Sequence, residues 1–343
     1  MIAHIAVGDK FIEPFILFIE NHFDSKDHLF LISPMALYKV KPRSNVVMLD
    51  ERMGRLRKMA EWSKAMNKAD KIILHGLFDI RVINLLCLQP WLLKKCYWVM
   101  WGGDLYHYKL RGRGIRSDIQ EAKRAFVIKR MGHLVTYIKG DYELAQKWYG
   151  ARGEYHTCLM YPSNLYKDYV VPPKQGDTVN ILVGNSADPT NNHAEIFEKL
   201  MPNKDQNIRI ICPLSYGIAE YSDRIVKLGA ELFGDKFSPL LDFMPFENYM
   251  ELLGQIDVAV FAHKRQQAMG NTITLLGLGK KIYMRSDVTS WTIFNEQGIK
   301  VFDVDKLDLK PIEEDLRKKN QARIKSIFTE VALVGQLHSI FKR

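Results

Sequence analysis

Two glycine-punctuated segments in the second half of the chain set short polar groups and cations directly after buried runs. Residues 179–193 read Val-Asn-Ile-Leu-Val-Gly-Asn-Ser-Ala-Asp-Pro-Thr-Asn-Asn-His. The apolar run stops at Val183, and Gly184 allows a tight turn or a close approach of backbone to ligand. Asn185 and Ser186 then offer short hydrogen-bonding groups, and Asn191 or Asn192 suits the cap of a helix starting near His193. Backbone N–H groups at such a start can seat a phosphate. The same composition also fits an ordinary strand–loop–helix connection, because Asn and Ser fill turns generally. No Gly-Lys-Ser or Gly-Lys-Thr follows the glycine, so this is not a Walker-type loop.

Residues 258–272 repeat the arrangement: Val-Ala-Val-Phe-Ala, then His263, Lys264, Arg265, Gln266, Gln267, and after Ala268 and Met269 the triplet Gly270, Asn271, Thr272. Three groups able to carry positive charge follow a buried strand at once. Arg265 could clamp a diphosphate with a fork that lysine cannot copy. Gly270, Asn271 and Thr272 could aim backbone donors at the same phosphates from a helix start. Such a site would stabilise charge developing on a departing nucleotide diphosphate without a metal ion. A merely solvated charge run is the competing reading. Tyr216, after the expected strand 208–212, could line a nucleotide pocket or pack at a sheet edge. Glu247, beside Pro245, could hold a ribose or sugar hydroxyl, or serve only the electrostatics of a first helical turn.

In the first half, two strand ends carry proton-transfer groups. Ile72-Ile73-Leu74 leads into His75 and Gly76, with Asp79 soon after, and Met100-Trp101 leads through Gly102 and Gly103 to Asp104. Asp104 could accept the proton of an acceptor hydroxyl as general base, with His75 as the other candidate. The plainer readings make His75 a satisfied edge histidine, Asp104 a turn or capping residue, and Asp79 a helix start. Basic side chains at Arg52, Arg55, Arg57, Lys58, Lys64 and Lys68 interleave with Met53, Leu56, Met59, Ala60 and Trp62. A second basic loop follows at Arg111, Arg113 and Arg116. These stretches could rest on anionic lipid, or be one core-facing helix and one polar loop.

The elements that must position these groups alternate regularly. Segments 2–7, 28–32, 46–49, 71–75, 96–100 and 134–137 read as strands, with 157–160 as another, and 14–21, 54–66, 78–88 and 117–131 read as helices. A Pro-rich stretch at 161–177 reads as a linker. Strands then recur at 179–183, 208–212, 237–241, 258–261, 281–283 and 300–302. The helices between them fall at 193–200, 218–233, 245–255, 270–278 and 291–296, with a polar run from Pro311. The pattern predicts two doubly wound α/β domains: 1–160, then a linker, 178–310, and a helical segment 311–343 packing back toward the first domain. Ligands would sit at the carboxyl ends of strands, facing a cleft between domains.

Composition bounds the chemistry. The 343 residues are 47% hydrophobic and 26% charged, which suits folded domains rather than disorder. A formal charge of +10 favours an anionic partner. Four cysteines without a CxxC pair predict neither a disulfide scaffold nor a structural zinc. No apolar run is long enough to span a bilayer, and the N-terminus lacks a signal-peptide layout, so a reduced, cytoplasmic protein is expected.

The same residues resemble the bacterial family of TDP-N-acetylfucosamine:lipid II N-acetylfucosaminyltransferase, glycosyltransferase family 56. The matching pieces are His75-Gly76, Trp101 through Asp104 to Tyr106, Ile181 through Gly184 to Ser186 with Asn192-His193, and Arg265-Gln266-Gln267 with Gly270 and Thr272, spanning about 70–295. Here His263 and Lys264 stand between Phe-Ala and the Arg-Gln-Gln motif, and Ala268 to Thr272 replace the Gly-Ile-Gly-Thr turn. The resemblance implies a GT-B enzyme with two Rossmann-like domains. The second would hold the donor, a TDP-sugar with UDP- or GDP-sugars open, and the first would hold a lipid-linked saccharide acceptor. It also implies cell-surface polysaccharide synthesis, no cofactor or metal, and peripheral contact with the cytoplasmic face of an inner membrane. A GT-B-like nucleotide-sugar epimerase or hydrolase is one alternative. A non-enzymatic polyanion-binding protein is the other, although no motif for specific nucleic-acid binding is present. Oligomeric state is not legible.

Overall fold

A computed structural model of the chain describes residues 1–36, 38–49, 52–112 and 114–342; Arg113 of the second basic loop lies outside the described residues. The chain divides into two compact units, one of residues 1–164 with 330–343 and one of 165–329.

The first unit runs β1 (Ile2–Val7), α1 (Ile12–His22), β2 (His28–Ser33), β3 (Val46–Met48), α2 (Arg55–Lys68), β4 (Lys71–His75), α3 (Ile80–Leu88), β5 (Cys96–Val99), α4 (Gly103–Leu110), α5 (Ile115–Arg130), β6 (His133–Val135), α6 (Lys139–Tyr149) and β7 (Glu154–His156). Its parallel sheet has the order β3-β2-β1-β4-β5-β6-β7. Strands such as Ile72-Ile73-Leu74 are apolar throughout because helices cover both sheet faces. The last strand is Glu154–His156 rather than the expected 157–160. Two helices, α4 and α6, were not legible from periodicity.

The second unit runs β8 (Val179–Val183), α7 (His193–Leu200), β9 (Ile208–Pro213), α8 (Ala219–Phe233), β10 (Phe237–Leu240), α9 (Phe246–Gln255), β11 (Val258–Phe261), α10 (Met269–Gly277), β12 (Lys281–Met284), α11 (Thr289–Glu296), β13 (Phe302–Asp303) and α12 (Glu314–Ile327). Its sheet order is β10-β9-β8-β11-β12-β13. Helix α12 packs on α10, whereas α13 (Glu330–Lys342) belongs to the first unit. The expected single C-terminal segment from 311 is therefore split between the two units. Within the first unit Lys71 Nζ donates to the carbonyls of Ile340 and Phe341, tying α13 to the start of β4.

Both sheets have the Rossmann order, in which the chain reverses direction across the sheet after the third strand. The reversal falls between β1 and β4 in the first unit and between β8 and β11 in the second. Loops leaving neighbouring strands in opposite directions open a crevice at such a point, and ligands bind there.

Candidate functional site

In the second unit the two glycine-punctuated loops leave the adjacent strands β8 and β11, which pair through Ile181–Val258, Leu182–Ala259 and Val183–Val260. Gly184 turns with φ +67, and a Cβ there would lie 2.5 Å from His193 Nε2 and 2.9 Å from Asn191 Oδ1. Only glycine satisfies both the backbone and the space. Asn191 is fully buried and organises the turn. Its Oδ1 accepts from the Asn185 N–H at 2.8 Å and from His263 Nε2 at 2.9 Å. Its Nδ2 donates to Ser186 Oγ at 3.2 Å and to the Asp188 carbonyl at 2.9 Å.

Further bonds lace the loops together. Asn192 Nδ2 donates to the Ala262 carbonyl at 2.7 Å, Gln267 Nε2 to Asn185 Oδ1 at 3.1 Å, and Thr190 Oγ1 to Gln267 Oε1 at 2.8 Å. Asn185 Nδ2 reaches Tyr216 OH at 3.1 Å, which brings the loop after β9 to the same rim. Arg265 donates to the Gln266 carbonyl at 3.1 Å and lies 3.7 Å from the Asp188 carboxylate. Asn271 Nδ2 donates to Tyr249 OH at 2.9 Å at the first turn of α10.

The sequence-derived residues therefore separate into a rim and a foundation. Asn185, Asn192, Tyr216, Arg265, Gln267, Gly270 and Asn271 are half-buried at the strand ends, while Ser186, His193, Gln266 and Thr272 are buried. His193, expected at the ligand, packs under the Gly184 turn with Nδ1 3.0 Å from Tyr221 OH. Burial holds its imidazole down to about 4, hence neutral. Thr272 Oγ1 bonds back to the Ala268 carbonyl at 2.9 Å and so serves the helix. His263, one of three expected cations, is neutral as well: burial, then the nearby Arg265 and His193, push it down to about 3. Glu247 is exposed on the first turn of α9 and makes no bond to these loops among the described residues. Asn191 as keystone, together with Asp188 and Thr190, was missed; all three were in view as turn residues, and only the fold distinguishes them from ordinary loop polarity.

In the first unit Asp104 is 1% exposed, and its carboxylate is occupied. Oδ2 accepts from Leu77 N at 3.0 Å and Trp98 Nε1 at 2.7 Å; Oδ1 accepts from Trp101 N and Leu105 N, each at 3.0 Å. With four N–H donors and no opening to solvent, it fastens the turns after β4 and β5. It has no access to a hydroxyl proton in this geometry, a correction to the general-base expectation. Asp79 caps α3 by accepting from the Arg81 N–H at 2.9 Å.

His75 is buried with both nitrogens engaged, and it belongs to a chain of polar groups crossing the sheet. Trp101 Nε1 donates to Tyr161 OH at 2.9 Å, and Tyr161 OH lies 2.6 Å from His75 Nδ1. His75 Nε2 meets His4 Nδ1 at 3.1 Å, and His4 Nε2 meets His28 Nδ1 at 2.9 Å. Indole can only donate, so one consistent arrangement passes each proton along: Tyr161 to His75, His75 to His4, His4 to His28. Burial lowers His75 to about 3 and His28 to about 4, and lowers His4 as well, with His75 and His28 reinforcing the effect. Residue 161 reaches this position from Met160, whose φ is +62.

A half-buried carboxylate at the β1/β4 reversal is that of Asp9. It follows Gly8 at the end of β1 and accepts from Phe11 N at 3.3 Å. Burial raises its pKa against the opposing pull of Lys10. The signal in sequence was the same one used elsewhere, a glycine and an acid directly after a buried strand.

Paired Rossmann domains of this kind define the GT-B glycosyltransferase fold, and solved structures match nearly the whole chain. HepE from Anabaena in complex with UDP and glucose aligns at TM-score 0.69 and 10% identity, covering 99% of each chain. Sucrose-phosphate synthase from Thermosynechococcus elongatus aligns at TM-score 0.69 and 9% identity, covering 100% of this chain and 98% of that one. WaaG, a glycosyltransferase involved in lipopolysaccharide biosynthesis, aligns at TM-score 0.59 and 10% identity, covering 100% and 96%. The GT-B expectation holds, and the chain is a glycosyltransferase. Residues 25–330 match the family described as 4-alpha-L-fucosyltransferase glycosyl transferase group 56, and the chain belongs to that family.

Proposed function

We propose that this glycosyltransferase takes a nucleotide-diphosphate sugar on its second unit and a lipid-linked saccharide on its first. The donor is a TDP-activated dideoxy-amino sugar such as 4-acetamido-4,6-dideoxygalactose. One observation carries the donor site: the 184–193 and 262–272 loops are laced to each other at the β8/β11 reversal, with Arg265 on their rim. A diphosphate seated there meets the Arg265 fork, the amides of Asn185 and Gln267, and the first-turn N–H groups of α10. Asp188, 3.7 Å away, keeps Arg265 within the loop system before the phosphates replace it as partner. The fold relative crystallised with UDP and glucose supports a nucleotide sugar as the donor class.

For attack opposite the leaving group, Asp9 is the base. Its carboxylate takes the acceptor hydroxyl proton while the oxygen bonds to the anomeric carbon. The carbon–phosphate oxygen bond breaks with its electron pair, and the nucleotide diphosphate departs against Arg265. Asp104 and His75 are positioning residues here, one fixing the turns after β4 and β5 and the other holding Tyr161.

A membrane-borne acceptor is supported by the edge of the first unit where helices follow strands. Leu56 at the start of α2 is 84% exposed and Ile115 at the start of α5 is 80% exposed. Phe78, Leu110 and Ile119 are exposed too, and so are Arg52, Arg55, Arg57 and Arg116. Apolar tips among cations suit an anionic bilayer surface such as the cytoplasmic face of an inner membrane. No helix among the described residues is long and apolar enough to cross a membrane.

The test supplies TDP-, UDP- and GDP-sugars with and without a lipid-linked saccharide in anionic vesicles. Consumption of the TDP-sugar should require the acceptor. Replacing Leu56 and Ile115 together by Asp should slow turnover on vesicles while leaving donor binding intact. Equal consumption without acceptor would instead make the protein a nucleotide-sugar hydrolase or epimerase.

A further inference from the structure

Three metal-ligating side chains converge at the opposite edge of the first unit, away from the strand ends discussed above. His133 opens β6, Glu154 opens β7 and His156 closes it. The parallel register pairs His133 with Glu154 and Val135 with His156, so all three side chains leave one face of the sheet. His133 Nδ1 lies 2.9 Å from His156 Nε2 and 3.5 Å from Glu154 Oε2, and His156 Nε2 lies 3.8 Å from that same oxygen. Nitrogen and oxygen ligands about 2.0–2.2 Å from a tetrahedral zinc ion stand about 3.3–3.5 Å from one another. The three separations bracket that spacing, so small side-chain adjustments would place an ion equidistant from all three.

We propose that His133, Glu154 and His156 form a binding site for a zinc-class divalent cation, with water completing the coordination. Two imidazoles and one carboxylate are a donor set that zinc accepts and that magnesium or calcium, which favour oxygen, does not. The Tyr97 ring stacks on His133 at 3.9 Å and 7°, holding the imidazole plane in place. The Glu154 side chain is 52% exposed, so the cluster is open to solvent on that side. Cysteine spacing, the ground for expecting no structural zinc, has no bearing on a site built from histidine and glutamate. The cation would clamp β7, a three-residue edge strand, to β6, and its role would be structural because it joins the sheet's last two strands.

Full-length protein stripped with a chelator and dialysed would be titrated with zinc against a chromophoric competitor, and its thermal midpoint recorded. One zinc per chain is expected, with the first unit's midpoint rising by roughly 5–10 °C at hundredfold excess over Kd. Glu154→Gln changes an exposed, near-isosteric side chain and should keep the fold while weakening zinc at least about tenfold. His133→Asn should weaken it further. No zinc bound by the wild type, or equal binding by both variants, would overturn the site and leave an ordinary histidine–histidine hydrogen bond.

Discussion

Asn191 bears more of the donor-side geometry than any residue that would touch the donor. Four hydrogen bonds meet on its amide, and two of the donors, Asn185 N and His263 Nε2, have no second partner among the described residues. Replacing it by Ala should cost about 2–6 kcal/mol, because each of the two buried donors left unsatisfied costs about 1–3 kcal/mol. Denaturant unfolding of the full chain, read with a probe in the second unit, measures this. Gly184→Ala should be at least as damaging, since the new methyl would meet His193 and Asn191 and the φ of +67 is costly for alanine. Unchanged stability in both variants would mean that the loop relaxes around the site. Residue types were legible here, but their orientation was not. His193 and Asn192 are neighbours in sequence, yet the left-handed Asn192 sends one side chain under the turn and the other to its rim.

At the scale of elements, the two site helices begin differently from ordinary helices. Helix α10 starts after Ala268, which adopts φ +56 and ψ 23, a conformation glycine takes at little cost. Ala268→Gly should therefore stabilise the second unit by about 1 kcal/mol, a rise of about 2–4 °C in its thermal midpoint. An unchanged or lower midpoint would show that the alanine methyl makes compensating contacts. The buried parallel strands were legible because helices on both sides demand unbroken apolar runs, as at Ile72–Leu74 and Val258–Phe261. Helix α4 was obscured by Gly102 at its N-cap and Gly103 at its first position, and by a first turn whose buried residues include Asp104. Helix α6 buries only Asp141, Ala145 and Tyr149, too thin a stripe to register as a period. The segment 157–160 mimicked a strand because Cys158, Leu159 and Met160 are apolar and buried, yet Met160 turns left-handed to insert Tyr161 beside His75. Asp9 escaped notice because its importance comes from sheet order, and the position of β1 beside β4 is not written in local sequence.

Across the whole molecule, several histidines are buried neutral: His4, His28 and His75 in the first unit, His193 and His263 in the second. Their folded pKa values lie below the unfolded value near 6.5, so the unfolded chain binds more protons as pH falls. Stability is therefore full above about pH 6.5 and is lost as pH drops toward 4, by about 1.4 kcal/mol per pH unit for each extra proton taken up on unfolding. Unfolding free energies measured at pH 7.5, 6 and 5 check the slope; a flat profile would contradict neutral burial. The proposed reaction divides its two chemical jobs between the units, with charge stabilisation by Arg265 in the second and proton acceptance by Asp9 in the first. That separation is most directly tested by equilibrium binding of a TDP-sugar to the wild type, Arg265→Ala and Asp9→Asn, alongside their turnover. The expected result is that Arg265→Ala loses at least about tenfold in donor affinity and about 10²–10³ in turnover, while Asp9→Asn binds donor normally and turns over poorly. Wild-type donor affinity and turnover in Arg265→Ala would contradict the account.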